Sequence, residues 1–564
     1  MRRLVQTVGS ALPWLIPGIF GAAWYLAIGG GHTIPPTNVW WMLQGDWFCY
    51  LFSSLFYRNS PWAIPFGQIP ELLYPFGSSA ALTDALPLVN TVGKLFSPLL
   101  PEEFQLYGLW MLSGFVIMAI LGSRFVARVS DDRVLQVLGG VLLGASPILC
   151  SRYGHPPFSA LWAVFGLIGL ALAPRAASPW VDQRLAWFFL FFCCATHPYL
   201  AVMALAMAYA VALRAVLSRE LAGARQVLAA LLTPAVVALV TFWLFGYLSS
   251  FGKVQGEAEG FGQFSADLST LFNPGPWSRL FGPIQTGPRQ YEGYAYLGLG
   301  GGVMAVSGLV WLFGRSKRRA LWPLVPLLVF ALALAFYALS NVVTFRGQVV
   351  WNLVPTYAHL GALPQIFRSS GRFVWPLHGV LVLSGLAAAA HLSLRSRAMG
   401  RALLGVAVVA QLADINIATS TLGNPHPPFV PLQSEAWKHV GADYRHIAVI
   451  PIQISWFSPF DQNWIAKLSW EAYRQKMTIN SGYVGRPPVG LTWDKHLTRE
   501  ELDPQTVYVV YFREYVNDFV AAGWSCGPAE GVLVCVDPTR ATPFRAAIEA
   551  ALQRREPYAL PSMR

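Results

Sequence analysis

Charge is what this sequence has least of. Only 12% of its 564 residues are Asp, Glu, Lys or Arg, about half the share found in ordinary soluble proteins. A chain so short of charge cannot cover a water-facing surface, which excludes a simple soluble globule. A disordered chain is excluded too, since it needs high charge and few aromatics, and here aromatics reach 14% with 22 Trp. Cysteine is scarce: six in all, with no C-x-x-C pair and no metal-ligand spacing. Cys526 and Cys535 are the only candidate disulfide pair, and only if the tail faces an oxidising compartment. Acid is almost missing from the beginning of the chain, Asp46 being the only one between residues 1 and 70.

What the chain has instead is long apolar runs. One follows MRRLVQTVGS and ends near Ile28. Others lie near 106–122, 135–150, 157–173, 185–197, 199–213, 227–246, 293–313, 321–339, 373–391 and 402–418. A bilayer core of roughly 30 Å needs about 20 helical residues, so several runs are short. His197-Pro198 breaks the stretch 185–213, which reads as two spans, one kinked span or a re-entrant hairpin. Counted as two, it brings the total to about eleven transmembrane helices.

The net charge of +12 does not point to nucleic acid, because the basic residues cluster between apolar runs. They report topology. With the N-terminus cytoplasmic, seventeen Lys and Arg fall in short loops on that side, among them Arg175, Arg315, Lys317, Arg318 and Arg319. Nine, including Lys253, are spread over far longer opposite segments. Three outer loops result, about 29–105, 247–292 and 340–372. The first is rich in Trp, Phe, Pro and Gly, and is expected to lie on the membrane as short amphipathic helices.

The tail changes character. Residues 445–454, 506–512 and 531–536 read as strands, and 513–523 and 543–554 as helices. The expected architecture is an all-α polytopic domain over 1–420 and a small soluble α/β domain over 421–564 on the periplasmic side of a bacterial inner membrane. That tail has no phosphate loop, no Gly-x-Gly-x-x-Gly and no nucleophile elbow.

Candidate chemistry lies in the outer segments. Asp46, after the Trp40-Trp41 pair, reads as a general base or as the N-cap of a helix starting at Trp47. Asp84 reads as a second acid or as a cap ahead of Pro87, and Glu71 follows as a further acid. His155-Pro156 and His197-Pro198-Tyr199 end runs on the outer side, where a His satisfies a broken helix end or bonds to a phosphate or sugar. No third ligand has metal spacing, so no metal is assigned. The second loop carries Glu257, Glu259, Asp267, Arg279, Arg289 and Glu292, and its stretch Phe264-Ser265-Ala266-Asp267-Leu268 precedes Asn273-Pro274. Arg368 and Arg372, four apart in Phe367-Arg368-Ser369-Ser370-Gly371-Arg372-Phe373, would share a face if that segment is helical. They read as a phosphate clamp or as interfacial arginines reaching for headgroups.

Taken together, several motifs resemble the GT-C class of integral-membrane glycosyltransferases. More closely they resemble an uncharacterised bacterial multi-spanning family at its edge. They are Gly45-Asp46, Tyr74-Pro75-Phe76-Gly77, Thr83-Asp84, Leu100-Pro101, His197-Pro198-Tyr199, Glu292-Gly293-Tyr294 and the Arg368–Arg372 segment, spread over about the first 420 residues. The resemblance implies transfer of a sugar from a polyprenyl-phosphate-linked donor to an envelope glycan, lipid or protein on the periplasmic side, with inversion of the anomeric centre. Asp46 and Asp84 would be the catalytic acids. Arg368, Arg372, His197, His155, Glu292 and Tyr199 would form the donor site, with a divalent metal optional and no other cofactor required. One departure stands out: Trp47-Phe48-Cys49-Tyr50 replaces the His-containing polar stretch of close relatives. The alternatives are a lipid-linked glycan flippase or a non-catalytic envelope assembly protein.

Overall fold

The structure is a computed structural model. It describes residues 2–562 apart from Gln44, 174–177, 250–259, 315–320, 425–427, 455–461, 486–487 and Trp493. Arg175, Lys253, Glu257, Glu259, Arg315, Lys317, Arg318 and Arg319 therefore lie outside the described residues. The chain forms two compact units. One comprises Met1–Pro35, Tyr107–Phe242 and Gly256–Asn424; the other comprises Pro36–Leu106, Trp243–Gln255 and Pro425–Arg564.

The first unit is helical. Each of the eleven expected runs coincides with a helix, from Arg2–Ala27 to Arg397–Asp414. Among the described residues, six helices are long and apolar enough to cross a membrane: Tyr107–Ala127, Arg133–Ser151, Pro198–Leu217, Ala224–Leu244, Trp322–Leu339 and Ser370–Arg395. This is a membrane protein, but the count of eleven spans is not confirmed. Leu12–Ala27, Pro156–Leu172 and Gly298–Phe313 are apolar but shorter. The last has 16 residues, a rise of about 24 Å at 1.5 Å per residue. Arg397–Asp414 carries three charged residues, Arg397, Arg401 and Asp414, in its 18. The stretch 185–213 resolves into two helices, Pro179–Cys194 and Pro198–Leu217, because Pro198 has no N–H to continue the first.

Two antiparallel strands, β3 (Val342–Phe345) and β4 (Gln348–Asn352), form a hairpin between the spans Trp322–Leu339 and Ser370–Arg395. Two earlier two-residue strands, β1 (Gln68–Ile69) and β2 (Ser78–Ser79), pair in the second unit.

The second unit is built on a five-stranded sheet in the order β6-β5-β7-β9-β8. Its strands are β5 (His446–Ile450), β6 (Thr478–Ile479), β7 (Thr506–Val510), β8 (Ser525–Ala529) and β9 (Val532–Val536). β5 is parallel to β6 and β7, while β9 is antiparallel to β7 and β8. The β-branched run of β7 is buried throughout, as expected for a central strand covered on both faces. Cys526 and Cys535 are direct cross-strand partners and are joined by a disulfide. The helix Gln462–Arg474 and strands β6 and β8 are additional to the elements expected from the sequence.

The first outer loop holds one short amphipathic helix, Pro87–Leu95, with Val92 and Leu95 exposed. Much of the rest is buried. The helix Trp47–Asn59 buries every residue from Phe48 to Tyr57. Beyond it, Leu72 bridges Ile479 in parallel. The Ile479 N–H donates to the Glu71 carbonyl at 2.9 Å, and the Tyr74 N–H to the Ile479 carbonyl at 3.0 Å. The loop thus continues the tail sheet past β6, and Tyr74 stacks on His446 at 4.2 Å. The compact units accordingly do not divide at 420: residues 36–106 group with the tail. A loop with so many apolar groups and so few charges must bury them, and the open edge at β6 supplies the missing backbone partners.

Candidate functional site

The candidate residues fall into two groups, one in each unit. In the first unit the centre is Glu292. Its Oε2 accepts from Arg152 Nη1 and from Arg372 Nε, both at 2.9 Å, and all three side chains are buried. Arg152 Nη2 also donates to the carbonyls of Tyr291 and Glu292, at 2.7 and 2.8 Å. The Arg372 guanidinium lies over Phe158 at 4.5 Å and Tyr199 at 4.9 Å, and that of Arg152 over Trp375 at 5.6 Å. Burial alone would push the Glu292 carboxyl up. The Arg372 and Arg152 charges, with His155 nearby, hold it well below the usual carboxylate range.

Backbone contact creates this pairing. A Cβ on Gly371 would come within 2.7 Å of Gly293 Cα, so only glycine lets the two chains touch. The residues beside that contact are Arg372 and Glu292. The Gly371 N–H also donates to the Phe264 carbonyl at 2.9 Å.

Arg368 is placed differently. The segment after Phe367 is irregular until the short 3-10 turn Ser370–Val374, so Arg368 and Arg372 do not share a helix face. Arg372 turns inward. Arg368 is half-buried and lies over the Phe264 ring at 5.1 Å, where Arg289 also lies at 5.4 Å. Arg289 Nη1 donates to Gln263 Oε1 at 2.6 Å. Tyr291 packs edge-on to Phe264. Its phenol is raised by burial and by Glu292, against the opposing fields of Arg152, Arg372 and Arg368, which ties the two arginine pairs to one locality.

His197 serves the backbone: its Nδ1 accepts from the Tyr199 N–H at 3.2 Å, capping the helix Pro198–Leu217. The Tyr199 hydroxyl accepts from the Ser369 N–H at 2.8 Å, and its ring packs on Phe367 and Phe373. His155 is half-buried beside Phe158. Asp267 is a turn-holder. It accepts from the Ser269 N–H, the Thr344 hydroxyl and the Arg346 and Gly347 N–H groups. Among the described residues, no three or more His, Cys, Asp or Glu side chains are grouped to hold a metal ion.

In the second unit, Asp46 immediately precedes the helix Trp47–Asn59 but makes no side-chain capping bond to it. Asp84, with φ 57°, does not cap the helix Pro87–Leu95, whose N-cap position is Leu86. The two acids face common neighbours. Burial, then Asp84 and then Asp46 push the Cys49 thiol up. The Tyr50 phenol is raised by burial, Asp84, Cys49, Asp46 and Tyr483 in that order. Glu71 is engaged elsewhere, accepting from the Ser60 hydroxyl.

The sequence reading notes Arg289 and Phe264 in the second loop without joining them to Arg368, and it counts Arg152 only among the outer basic residues. Arg152 and Glu292 are 140 positions apart, and no spacing rule connects them. The available signal for Arg152 was a cation at the mouth of an apolar run.

Comparison with known proteins adds the following. A family model described as a domain of unknown function, DUF6311, matches residues 18–416, and one described as the DUF6311 C-terminal domain matches 436–537. No curated protein matches the chain. Among solved structures, the crystal structure of ArnT from Cupriavidus metallidurans bound to undecaprenyl phosphate is similar over 95% of this chain and 99% of that one. The identity is 11% and the TM-score 0.44. A likeness of that size carries no conclusion about chemistry.

Proposed function

We propose that this chain, which belongs to the DUF6311 family, transfers a sugar from a polyprenyl-phosphate-linked donor to a cell-envelope acceptor on the non-cytoplasmic face. The observation that carries the reading is the gathering of four guanidinium groups near Glu292. Arg152 and Arg372 are held by Glu292, and Arg289 and Arg368 lie over the Phe264 ring. Guanidinium groups gathered at the mouth of an apolar helix suit an anionic group, and a planar guanidinium matches phosphate oxygens in pairs.

In this reading Arg289 and Arg368 hold the donor phosphate and stabilise the charge that gathers on it as the sugar leaves. Arg152 and Arg372 form a fixed cationic wall behind them, held by Glu292. Asp46, with Asp84 as the second acid of this reading, takes the proton from the acceptor hydroxyl. A single displacement by that hydroxyl inverts the anomeric centre. The arginines can hold the phosphate without a metal.

The test uses the full chain in nanodiscs and undecaprenyl phosphate as probe. Each charge-assisted contact is worth roughly 1.5–3 kcal/mol. Arg289→Gln with Arg368→Gln is therefore expected to weaken binding by about ten- to a hundredfold or more. Asp46→Asn should leave that binding intact and lower transfer from a loaded donor by about 10²–10⁴-fold. Unchanged lipid-phosphate affinity in a folded double variant would overturn the donor assignment. Full turnover in Asp46→Asn would remove the base.

A further inference from the structure

We propose that residues 345–366 form an apolar anchor that inserts into the headgroup–acyl boundary of the bilayer beside the span mouth at Ser370. The occupant of this surface is membrane lipid. The inference is independent of the transferase reading and rests on three observations.

The first is exposure. The whole of β4 is exposed, so the valines and Trp351 on its two faces are uncovered together. Val349 is 63% exposed, Trp351 56% and Leu363 71%. Phe345, Val350, Val354, Leu360 and Ile366 are exposed as well. A strand in a soluble protein buries one face, and a continuous apolar surface of this kind marks a contact.

The second is charge. No Asp or Glu occurs from Ser340 to Ser370, where the charged residues are Arg346 and Arg368. Apolar and aromatic side chains with basic flanks are the composition of interfacial segments, and they suit anionic headgroups. A protein partner of ordinary surface chemistry would place no such restriction on acids.

The third is position and rigidity. The segment connects two helices that are each long and apolar enough to span, Trp322–Leu339 and Ser370–Arg395. Both of its ends are therefore at the membrane, and the first of these helices is itself largely exposed. It is also firmly held from below. Asp267 accepts from the Arg346 and Gly347 N–H groups at 3.0 and 3.1 Å. The Leu268 N–H donates to the Thr344 carbonyl at 2.9 Å, and the Leu353 N–H to the Asn341 carbonyl at 2.8 Å. The Tyr337 hydroxyl donates to the Pro364 carbonyl at 2.7 Å, and Tyr357 packs on Phe261. The backbone is fastened to the first unit while the apolar side chains face away from it.

The experiment places an environment-sensitive nitrobenzoxadiazole label on Val349→Cys, and separately on Leu363→Cys, in the full chain. Glu500→Cys, at an exposed position of the tail, is the aqueous control. Each is reconstituted in nanodiscs of phosphatidylethanolamine and phosphatidylglycerol, and the unsubstituted chain corrects for labelling of its four buried free cysteines. Relative to the control, both labels should emit at shorter wavelength. Iodide should quench them several-fold less, and lipids bearing a nitroxide near the headgroup several-fold more. Iodide quenching equal to the control would overturn the proposal. Shielding from both quenchers would also overturn it, because it would place a protein partner or a second copy on the surface. Two labelled sites at opposite ends keep the result decisive if one variant does not fold.

Discussion

Glu292 shows how little of a residue's role is carried by its own identity. In the sequence it is one acid in a long loop; in the structure it is the anion between two buried guanidiniums. Glu292→Gln would leave Arg152 and Arg372 buried without their counter-charge. Breaking a buried pair from one side typically costs about 3–5 kcal/mol, so melting in detergent should fall markedly. Arg368→Gln should leave melting nearly unchanged, since Arg368 is half-buried and outside that cluster. The pH dependence has a definite sign. The carboxyl of Glu292 is depressed in the folded state. Its contribution is therefore complete above the unfolded value of about 4.3 and is lost as pH falls below it. Glu292→Gln should remove that part of the acid sensitivity, which a comparison of melting at pH 6 and at about pH 4 reads directly. Asp46 and Asp84 were legible as isolated acids in apolar surroundings. Their shared neighbours Cys49 and Tyr50 were not, because Asp84 reaches that place through a left-handed turn 38 residues further on.

The helices were the most legible elements, since an apolar run long enough to span needs no distant partner to be recognised. Their ends were legible where proline sets them, as at His197-Pro198. Four-residue spacing would set Arg368 and Arg372 on one face only in a helix, whereas the chain there is irregular and is held by contact with Gly293 and Phe264. That contact gives an element-scale prediction. Gly371→Ala would drive a methyl against the Gly293 backbone, where nothing flexible can yield. Overpacking of this kind costs about 1–3 kcal/mol. Thermal melting should drop accordingly, with undecaprenyl phosphate binding weakened because Arg372 is displaced from Glu292. A variant with normal melting and normal binding would show that the two loops tolerate separation.

For the molecule as a whole, the charge bias sets an orientation that cysteine labelling can check. Arg397 and Glu500 are exposed. In intact cells Arg397→Cys should be shielded from a membrane-impermeant thiol reagent, and Glu500→Cys should react. The reverse pattern in folded protein would invert the topology and with it the outer-face placement of the chemistry. The grouping of residues 36–106 with the tail alters which parts belong together. The first outer loop belongs to the sheet-bearing unit, and the hairpin of the third loop presents an exposed apolar surface.

Composition and hydropathy by themselves determined that this is a helical membrane protein with a small α/β tail, because both follow from local periodicity and from the cost of leaving apolar surface in water. They also picked out Asp46, Asp84, Arg368, Arg372 and Glu292 as unusual in their surroundings. Only the tertiary structure decided that Glu292 binds Arg152 and Arg372, that Arg289 joins Arg368 on Phe264, and that Leu72 pairs with Ile479. Each of these joins segments far apart in the chain, through backbone contacts and ion pairs whose partners no local pattern encodes. A buried charge requires a partner somewhere, but its identity is set by which backbones can approach, here through two glycines in contact.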